Sequence, residues 1–145
     1  ALQALVAAGE LSGLGSLDLL LVDHRVEVLE LNPRPPASLA LYPRFGLRAH
    51  CSACERGDLP AWPDAPPAPR GERIVYARRP MRLGDAAAAT IAAQPDTHDL
   101  PQAGASLRPG DPLCSVGASG RSGAEIRERL AQRADALLNL LENIE

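Results

Sequence analysis

The chain has 145 residues, of which 46% are hydrophobic, and a formal net charge of −3 at pH 7. This length and composition suit one folded domain and exclude a disordered chain. The mild acidity and the aromatic content of 3% argue against a nucleic-acid partner. No apolar run is long enough to cross a bilayer and no basic leader opens the chain, so we expect a cytoplasmic protein without a membrane partner.

The first half of the chain predicts helices around a β-hairpin. Residues 2–8 predict the end of a helix, which the following glycines stop. Residues 16–22 and 26–32 are rich in Leu and Val and predict two antiparallel strands joined by a short polar turn. A further helix is expected from Ser38, a favourable N-cap, towards Phe45.

A proline-dense segment separates the hairpin from the second half of the chain. Strands are expected near 74–80 and 112–117, because both segments contain β-favouring residues, and "DAAAATIAA" between them has the composition of a short helix. We expect these two strands to extend or cap the sheet that begins with the hairpin.

A long helix over residues 123–143 is expected to close the chain. Ser122 and Glu125 have the spacing of a capping box at its start. One face of the helix is apolar and suits packing across the sheet. That face contains Ile126, Leu130, Leu137, Leu141 and Ile144.

Together these elements predict an α+β fold, with an antiparallel sheet built on the hairpin and flanked by helices. Three segments are expected along the chain. Residues 1–49 would contain the hairpin and the helix after it, residues 50–72 a Pro-rich connection, and residues 73–145 a carboxy-terminal subdomain with the last helix. A sheet edge left bare by a missing lobe would favour homodimerisation.

Two acids lie inside the apolar strands of the hairpin. If the turn is centred on His24, Asp18 lies directly opposite Glu30, with Cβ atoms about 5 Å apart, where like charges repel each other. Asn32 follows Glu30 by two residues and therefore lies on the same face. Two carboxylates and an amide are ligands for a hard cation such as Mg²⁺. The pattern therefore predicts a metal site at this patch.

Arg34 follows Asn32 at the point where prolines end the strand. From there its guanidinium can reach over the patch and contact an anion such as phosphate. The alternative interpretation is that Asp18 and Glu30 lie on a solvated face and pair with arginines. A register slipped by one residue would also separate the two acids, because it would turn them to opposite faces.

The segment "GLGSLDLLLVDHRVEVLELNPRPPAS" resembles the last catalytic hairpin of the ATP-grasp superfamily, in which an acid on one strand precedes a strand ending in Glu-x-Asn-Pro-Arg. The resemblance is tight over residues 10–45. It implies that Asp18, Glu30 and Asn32 hold Mg²⁺ bound to the phosphates of ATP. It also implies that Arg34 faces the phosphate or acyl phosphate.

The second half of the chain is similar, more weakly, to the trailing segment of uncharacterised ATP-grasp ligases related to carboxylases, whose relatives include tyramine–glutamate ligases. The resemblance implies an enzyme that phosphorylates a small-molecule carboxylate to an acyl phosphate, which an amine or another nucleophile then attacks. All 15 basic residues of the chain are arginines, so the lysines that grip ATP in this family have no counterpart.

This departure, together with a first residue other than methionine, indicates the carboxy-terminal part of a longer ligase. We expect such a part to be inactive without the upstream ATP-binding lobes. The alternative is a non-catalytic scaffold or assembly module that retains the ATP-grasp hairpin.

Two further motifs carry weaker signals. His50, Cys51 and Cys54 in "HCSAC" have the spacing of half a zinc site, and small buried thiols at the end of a helix are the alternative interpretation. Cys114 is expected to be buried in a strand. The glycine-rich residues 117–125 open the last helix, where a phosphate can bind, and a simple turn into a capped helix is the alternative.

Overall fold

The computed structural model describes residues 2–42, 46–58 and 68–144, and the chain divides into two compact units, Ala1–Pro67 and Ala68–Glu145. Helices and antiparallel sheets occur together, which confirms the α+β class. Within these three ranges every helix is too short or too polar to span a bilayer. The three segments expected from the sequence stay a prediction.

The first unit contains a hairpin and short helices. The elements in chain order are α1 (Leu2–Ala8), β1 (Ser16–Val22), β2 (Arg25–Asn32), a 3₁₀-helix (Ala37–Leu41) and α2 (Leu47–Arg56). β1 and β2 pair with each other as an antiparallel two-stranded sheet. The predicted first helix and hairpin are therefore both present.

The helix predicted from Ser38 towards Phe45 is wrong. The described part of this segment forms only a short 3₁₀-helix, which has no side-chain cap and ends before Tyr42. Tyr42 has φ −123° and ψ 67°, outside the helical region. It precedes Pro43 in the sequence, and the proline ring disfavours the α conformation of the residue before it. Phe45 lies outside the described residues.

The helix α2 was not predicted, because its residues fall at and beyond the start of the expected connection. It ends at Gly57, which has φ 71° and donates its N–H to the carbonyl of Ala53 at 2.9 Å. Only glycine adopts this left-handed conformation freely, so Gly57 is a normal C-terminal stop for a helix. Residues 59–67 of the proline-dense segment lie outside the described residues.

The second unit holds a three-stranded sheet and a long helix. Its elements are β3 (Arg70–Tyr76), β4 (Met81–Arg82), α3 (Asp85–Ala92), β5 (Thr97–His98), β6 (Ser106–Leu107), β7 (Pro112–Ser119) and α4 (Gly123–Glu142). The sheet order is β3-β7-β5, and β4 pairs with β6. The expected extension of the hairpin sheet is wrong, because β3 pairs with β7 over its whole length and the hairpin forms a separate sheet.

The helix α4 packs across β3 and β7 and closes the core of the second unit. Ser122 caps it as predicted, since its hydroxyl accepts the N–H of Glu125 at 3.2 Å. The predicted apolar face is buried except for Ile144, which lies beyond the helix and is 39% exposed. The buried core contains Val75, Leu83, Ala87, Ile91, Leu113, Cys114, Val116, Ala118, Ile126, Leu130, Ala134, Leu137, Leu138 and Leu141.

An ion pair ties β3 to the turn before β5. Arg70 donates to both carboxylate oxygens of Asp96, at 2.7 and 2.9 Å. A Cβ on Gly117 would lie 2.6 Å from the same carboxylate, so only glycine leaves room for it beside β7. Both bonds come from the Nη2 nitrogen of Arg70, so a single nitrogen of the guanidinium links β3 to this turn.

Cys114 gives the core a dependence on alkaline pH. Burial, with a smaller contribution from the charge of Asp99, raises the pKa of the Cys114 thiol from 9.0 to about 11. The folded chain therefore binds more protons than the unfolded chain between these values, and its stability falls as pH rises through the window. We expect urea unfolding to show a loss of about 2–3 kcal/mol between pH 9 and pH 11. Cys114→Ala should lack this loss, and an identical pH profile for both proteins would contradict the assignment.

Candidate metal and phosphate site

The turn of the hairpin consists of Asp23 and His24. Both have left-handed backbone conformations, with φ 47° and 63°. Two successive left-handed residues make a type I′ turn, whose twist matches that of a hairpin. The turn is therefore centred between these two residues and not on His24, and Val22 faces Arg25 across it.

A β-bulge brings the two acids together. A regular ladder from this turn would pair Asp18 with Leu29 and leave Glu30 on the other face. Instead Leu19 faces Val28 and Asp18 faces Glu30, so that Leu29 has no partner. The extra residue shifts the register by one and restores the expected pairing. Opposition of Asp18 and Glu30 is confirmed, although the reason assumed for it is wrong.

Asn32 lies opposite Ser16 at the open end of the hairpin. Strand alternation places Ser16 on the face of Asp18, and Asn32 on the face of Glu30. Two opposed pairs of oxygen-bearing side chains therefore share one face. Ser16 was not among the predicted site residues, although it lies two residues before Asp18 on β1 and therefore on the same face.

The backbone is tightly packed beside Asn32. A Cβ on Gly15 would lie 2.9 Å from the Asn32 carbonyl oxygen, so the approach to β1 requires a glycine here. The same carbonyl accepts the N–H of Arg34 at 2.9 Å, which makes a tight turn at Pro33. Arg34 itself is exposed, and within the described residues its guanidinium has no ion pair or hydrogen bond.

The two acids are exposed and Asn32 is half-buried. In the part of the chain that the structure describes, neither Asp18 nor Glu30 forms an ion pair or a side-chain hydrogen bond. The solvent exposure that the alternative interpretation expected is therefore present, whereas its pairing with arginines is not observed among these residues. The same residues contain no group of three His, Cys, Asp or Glu side chains able to hold a metal ion. A cation at this patch would bind two carboxylates and neutral oxygens.

The other face of the hairpin is aliphatic. Its three cross-strand pairs are Leu17 with Leu31, Leu19 with Val28, and Leu21 with Val26. Most of these side chains are exposed, Leu21 by 74%. An apolar cavity of about 260 Å³ lies beside the first of these pairs. The acids are embedded in apolar runs because each strand alternates between the two faces.

The burial of the cysteines agrees with the prediction for Cys114 but not for Cys51 and Cys54. Cys51 and Cys54 are exposed on α2, so the interpretation as buried thiols at a helix end is wrong. Cys114 is 2% exposed, which confirms its predicted burial.

The glycine-rich residues 117–125 form a turn into a capped helix. The carboxylate of Glu125 accepts the N–H of Arg121 at 2.8 Å and pairs with Arg129 at 2.6 Å. The hydrogen bond from the Arg121 backbone is the main reason that the pKa of Glu125 is lowered. Side chains of the protein already satisfy the start of this helix, which favours the turn over a phosphate site.

No protein-family model and no curated protein matches the chain. Among solved structures it is similar to N5-carboxyaminoimidazole ribonucleotide synthetase from Thermotoga maritima, an ATP-grasp enzyme. The TM-score is 0.57 with 18% sequence identity, and the match covers 92% of this chain and 39% of that one. The chain therefore spans about two-fifths of the length of that enzyme. At this identity the likeness concerns the fold: the chain has an α+β fold similar to that of an ATP-grasp enzyme.

Proposed function

We propose that this chain supplies the metal-holding part of an ATP- and Mg²⁺-dependent ligase site. The observation that carries the proposal is the opposition of Asp18 and Glu30, with Ser16 and Asn32 paired next to them on the same face. The ATP-grasp-like fold supports a general relationship to ATP-dependent ligases.

The electrostatics of the hairpin favour a cation. Carboxylates directly opposite each other on paired strands have Cβ atoms about 5 Å apart and repel. Among the described residues neither Asp18 nor Glu30 forms an ion pair with a cationic side chain. Mg²⁺ prefers oxygen ligands, uses one or two carboxylates and keeps coordination positions for phosphate. In the proposal Asp18, Glu30 and Asn32 would hold this ion, whose positive charge would offset the negative charge of the ATP phosphates.

The proposed reaction forms an acyl phosphate. The terminal phosphoryl group of ATP moves to a carboxylate oxygen of a small-molecule substrate and leaves ADP. An amine, or a related nucleophile, then attacks the carbonyl carbon and phosphate departs. Arg34 contacts the transferring or acyl phosphate, because a guanidinium can bind two of its oxygens together. Catalysis of this kind depends on positioning and on charge stabilisation.

The absence of lysine limits what the chain can do alone. We propose that it lacks ligase activity without the lobes that grip ATP. We also propose kinship with tyramine–glutamate ligases, a cytoplasmic location and a homodimer. A scaffold or assembly module that keeps the hairpin without binding metal is the competing function, and metal binding separates the two.

Manganese binding to the 145-residue chain tests the site directly. Mn²⁺ replaces Mg²⁺ at oxygen sites and is measured by electron paramagnetic resonance. We expect Glu30→Gln to weaken binding about tenfold or more, because it removes one of two charged ligands. Glu27→Gln is the matched control, since it makes the same change on the same strand opposite Leu20. Equal effects of the two substitutions would show diffuse attraction to the acidic strand and contradict the site.

A further inference from the structure

A thiol and an imidazole meet on α2, away from the acidic face of the hairpin. His50 and Cys54 are one helical turn apart, and the Sγ of Cys54 lies 3.7 Å from His50 Nε2. The Cys54 thiol also donates to the carbonyl of Ser12 at 3.6 Å. The N–H of Leu14 donates to His50 Nδ1 at 3.0 Å. Both side chains therefore contact the loop that leads into β1.

The hydrogen bond from Leu14 determines which ring nitrogen of neutral His50 carries the proton. A nitrogen that accepts a hydrogen bond carries no proton, so neutral His50 bears its proton on Nε2. The sulfur of Cys54 lies at similar distances from the two ring nitrogens, 3.7 Å from Nε2 and 4.0 Å from Nδ1. The imidazole and the thiol are therefore in contact, with the protonated nitrogen of the ring 3.7 Å from the sulfur.

The loop can approach this pair only because residue 13 is a glycine. Gly13 has φ 86°, and a Cβ there would lie 2.6 Å from His50 Nδ1 and 2.7 Å from the Cys54 Sγ. No other residue leaves both atoms in place. The close packing fixes the ring and the sulfur relative to each other.

A second thiol lies within bonding range on the same helix. Cys51 precedes Cys54 by three residues inside α2, and this spacing puts the two Cα atoms about 5 Å apart. Disulfides span Cα separations of roughly 4.4–6.8 Å. Both residues are exposed and reachable by a small oxidant. The described residues offer no group of three ligands for a metal, so the half zinc site stays incomplete there.

We propose that Cys51 and Cys54 form a thiol–disulfide exchange site, with Cys54 as the attacking thiol and His50 as its positioning residue. Its co-reactant is a low-molecular-weight disulfide. The Cys54 thiolate attacks one sulfur of that disulfide, forms a mixed disulfide and releases one thiol. Cys51 then attacks the Sγ of Cys54, forms the intrahelical bond and releases the second thiol. Two protein thiols are oxidised, and the co-reactant gains the two electrons and two protons.

Oxidation also changes the loop before β1. In the intrahelical disulfide Cys54 has no S–H to donate to Ser12, and its sulfur moves towards Cys51. One contact that holds the loop against α2 is then lost. The site is independent of the proposed metal function, so either can fail without the other.

Oxidised glutathione is the probe for the test, applied to the reduced 145-residue chain at neutral pH and followed by mass spectrometry. We expect a product about 2 Da lighter, with Cys51 joined to Cys54 and Cys114 unmodified. Cys51→Ser should instead retain one glutathione on Cys54, because the resolving thiol is absent. A stable glutathione adduct on the unmodified chain, or a disulfide between two chains, would overturn the proposal.

The role of His50 is tested by two variants. His50→Asn keeps an acceptor for the Leu14 N–H but removes Nε2, the ring nitrogen 3.7 Å from the sulfur, so glutathione transfer to Cys54 should slow about tenfold. His50→Gln places an N–H near the former Nε2 and should restore most of the rate. Rates measured in the Cys51→Ser background isolate this first step. Equal rates for the chain with His50 and for both variants would overturn the positioning role.

Discussion

Glu30→Gln is expected to lower magnesium-dependent ATP turnover by roughly 100-fold or more in a protein that joins this chain to nucleotide-gripping lobes. Gln keeps the shape of the side chain and one oxygen, but it loses the charge that the proposal uses to hold Mg²⁺. The opposed Asp18 then faces a neutral amide, and the phosphates of ATP lose part of their charge compensation. Phosphate release from ATP, followed over a range of magnesium concentrations, measures the effect.

Two controls make this result specific. Glu27→Gln removes the same charge from β2, opposite Leu20, and should leave turnover within about threefold. The 145-residue chain alone is expected to bind ATP weakly, and a micromolar dissociation constant by isothermal titration calorimetry would contradict the proposed need for other lobes. Unchanged turnover with Glu30→Gln would favour the scaffold function.

Leu137→Ala is expected to lower the free energy of unfolding by about 3 kcal/mol. Leu137 is 3% exposed on the core-facing side of α4. Truncation removes buried methyl groups and leaves a cavity that the surrounding side chains fill only in part. Alanine is the best helix former, so the loss cannot come from helix propensity.

Leu140→Ala is the matched control, three residues along the same helix. Leu140 is 42% exposed, so its truncation should cost less than about 1 kcal/mol. Urea unfolding followed by far-UV circular dichroism measures both variants, since α4 is the longest helix among the described residues. Equal losses for the two substitutions would contradict the packing of α4 against the sheet.

The hairpin shows which cross-strand pairs can be predicted from strand alternation alone. Alternation along each strand was enough to place Asn32 on the face of Glu30 and to favour an opposed Asp18. The pairing nevertheless depends on Leu29, whose bulge corrects the register set by the two-residue turn. Moving the turn by half a residue, or adding a bulge, each changes the cross-strand register by one residue. Neither the exact turn position nor the bulge has a strong signature in the sequence. The expected pairing was therefore correct although the turn position was not.

Among the helices, α4 was predicted correctly, whereas the helix from Ser38 and α2 were not. The capping box of Ser122 and Glu125 and the apolar face of α4 are local patterns, and both occur in the structure. The helix expected from Ser38 does not form, because Pro43 follows five residues later and disfavours the helical conformation of the residue before it. The helix α2 begins just before the predicted connection, and the composition of that segment does not distinguish a helix from a loop.

The sequence by itself determined the α+β class, the strands of the hairpin, the capped last helix and the burial of Cys114. Each of these depends on interactions among residues close together in the chain or on simple alternation. Only the tertiary structure decided that β3 pairs with β7 in a separate sheet, that the hairpin leucines are exposed, and that His50 and Cys54 contact the loop at Gly13. These features join residues distant in sequence, and their energies depend on which surfaces meet.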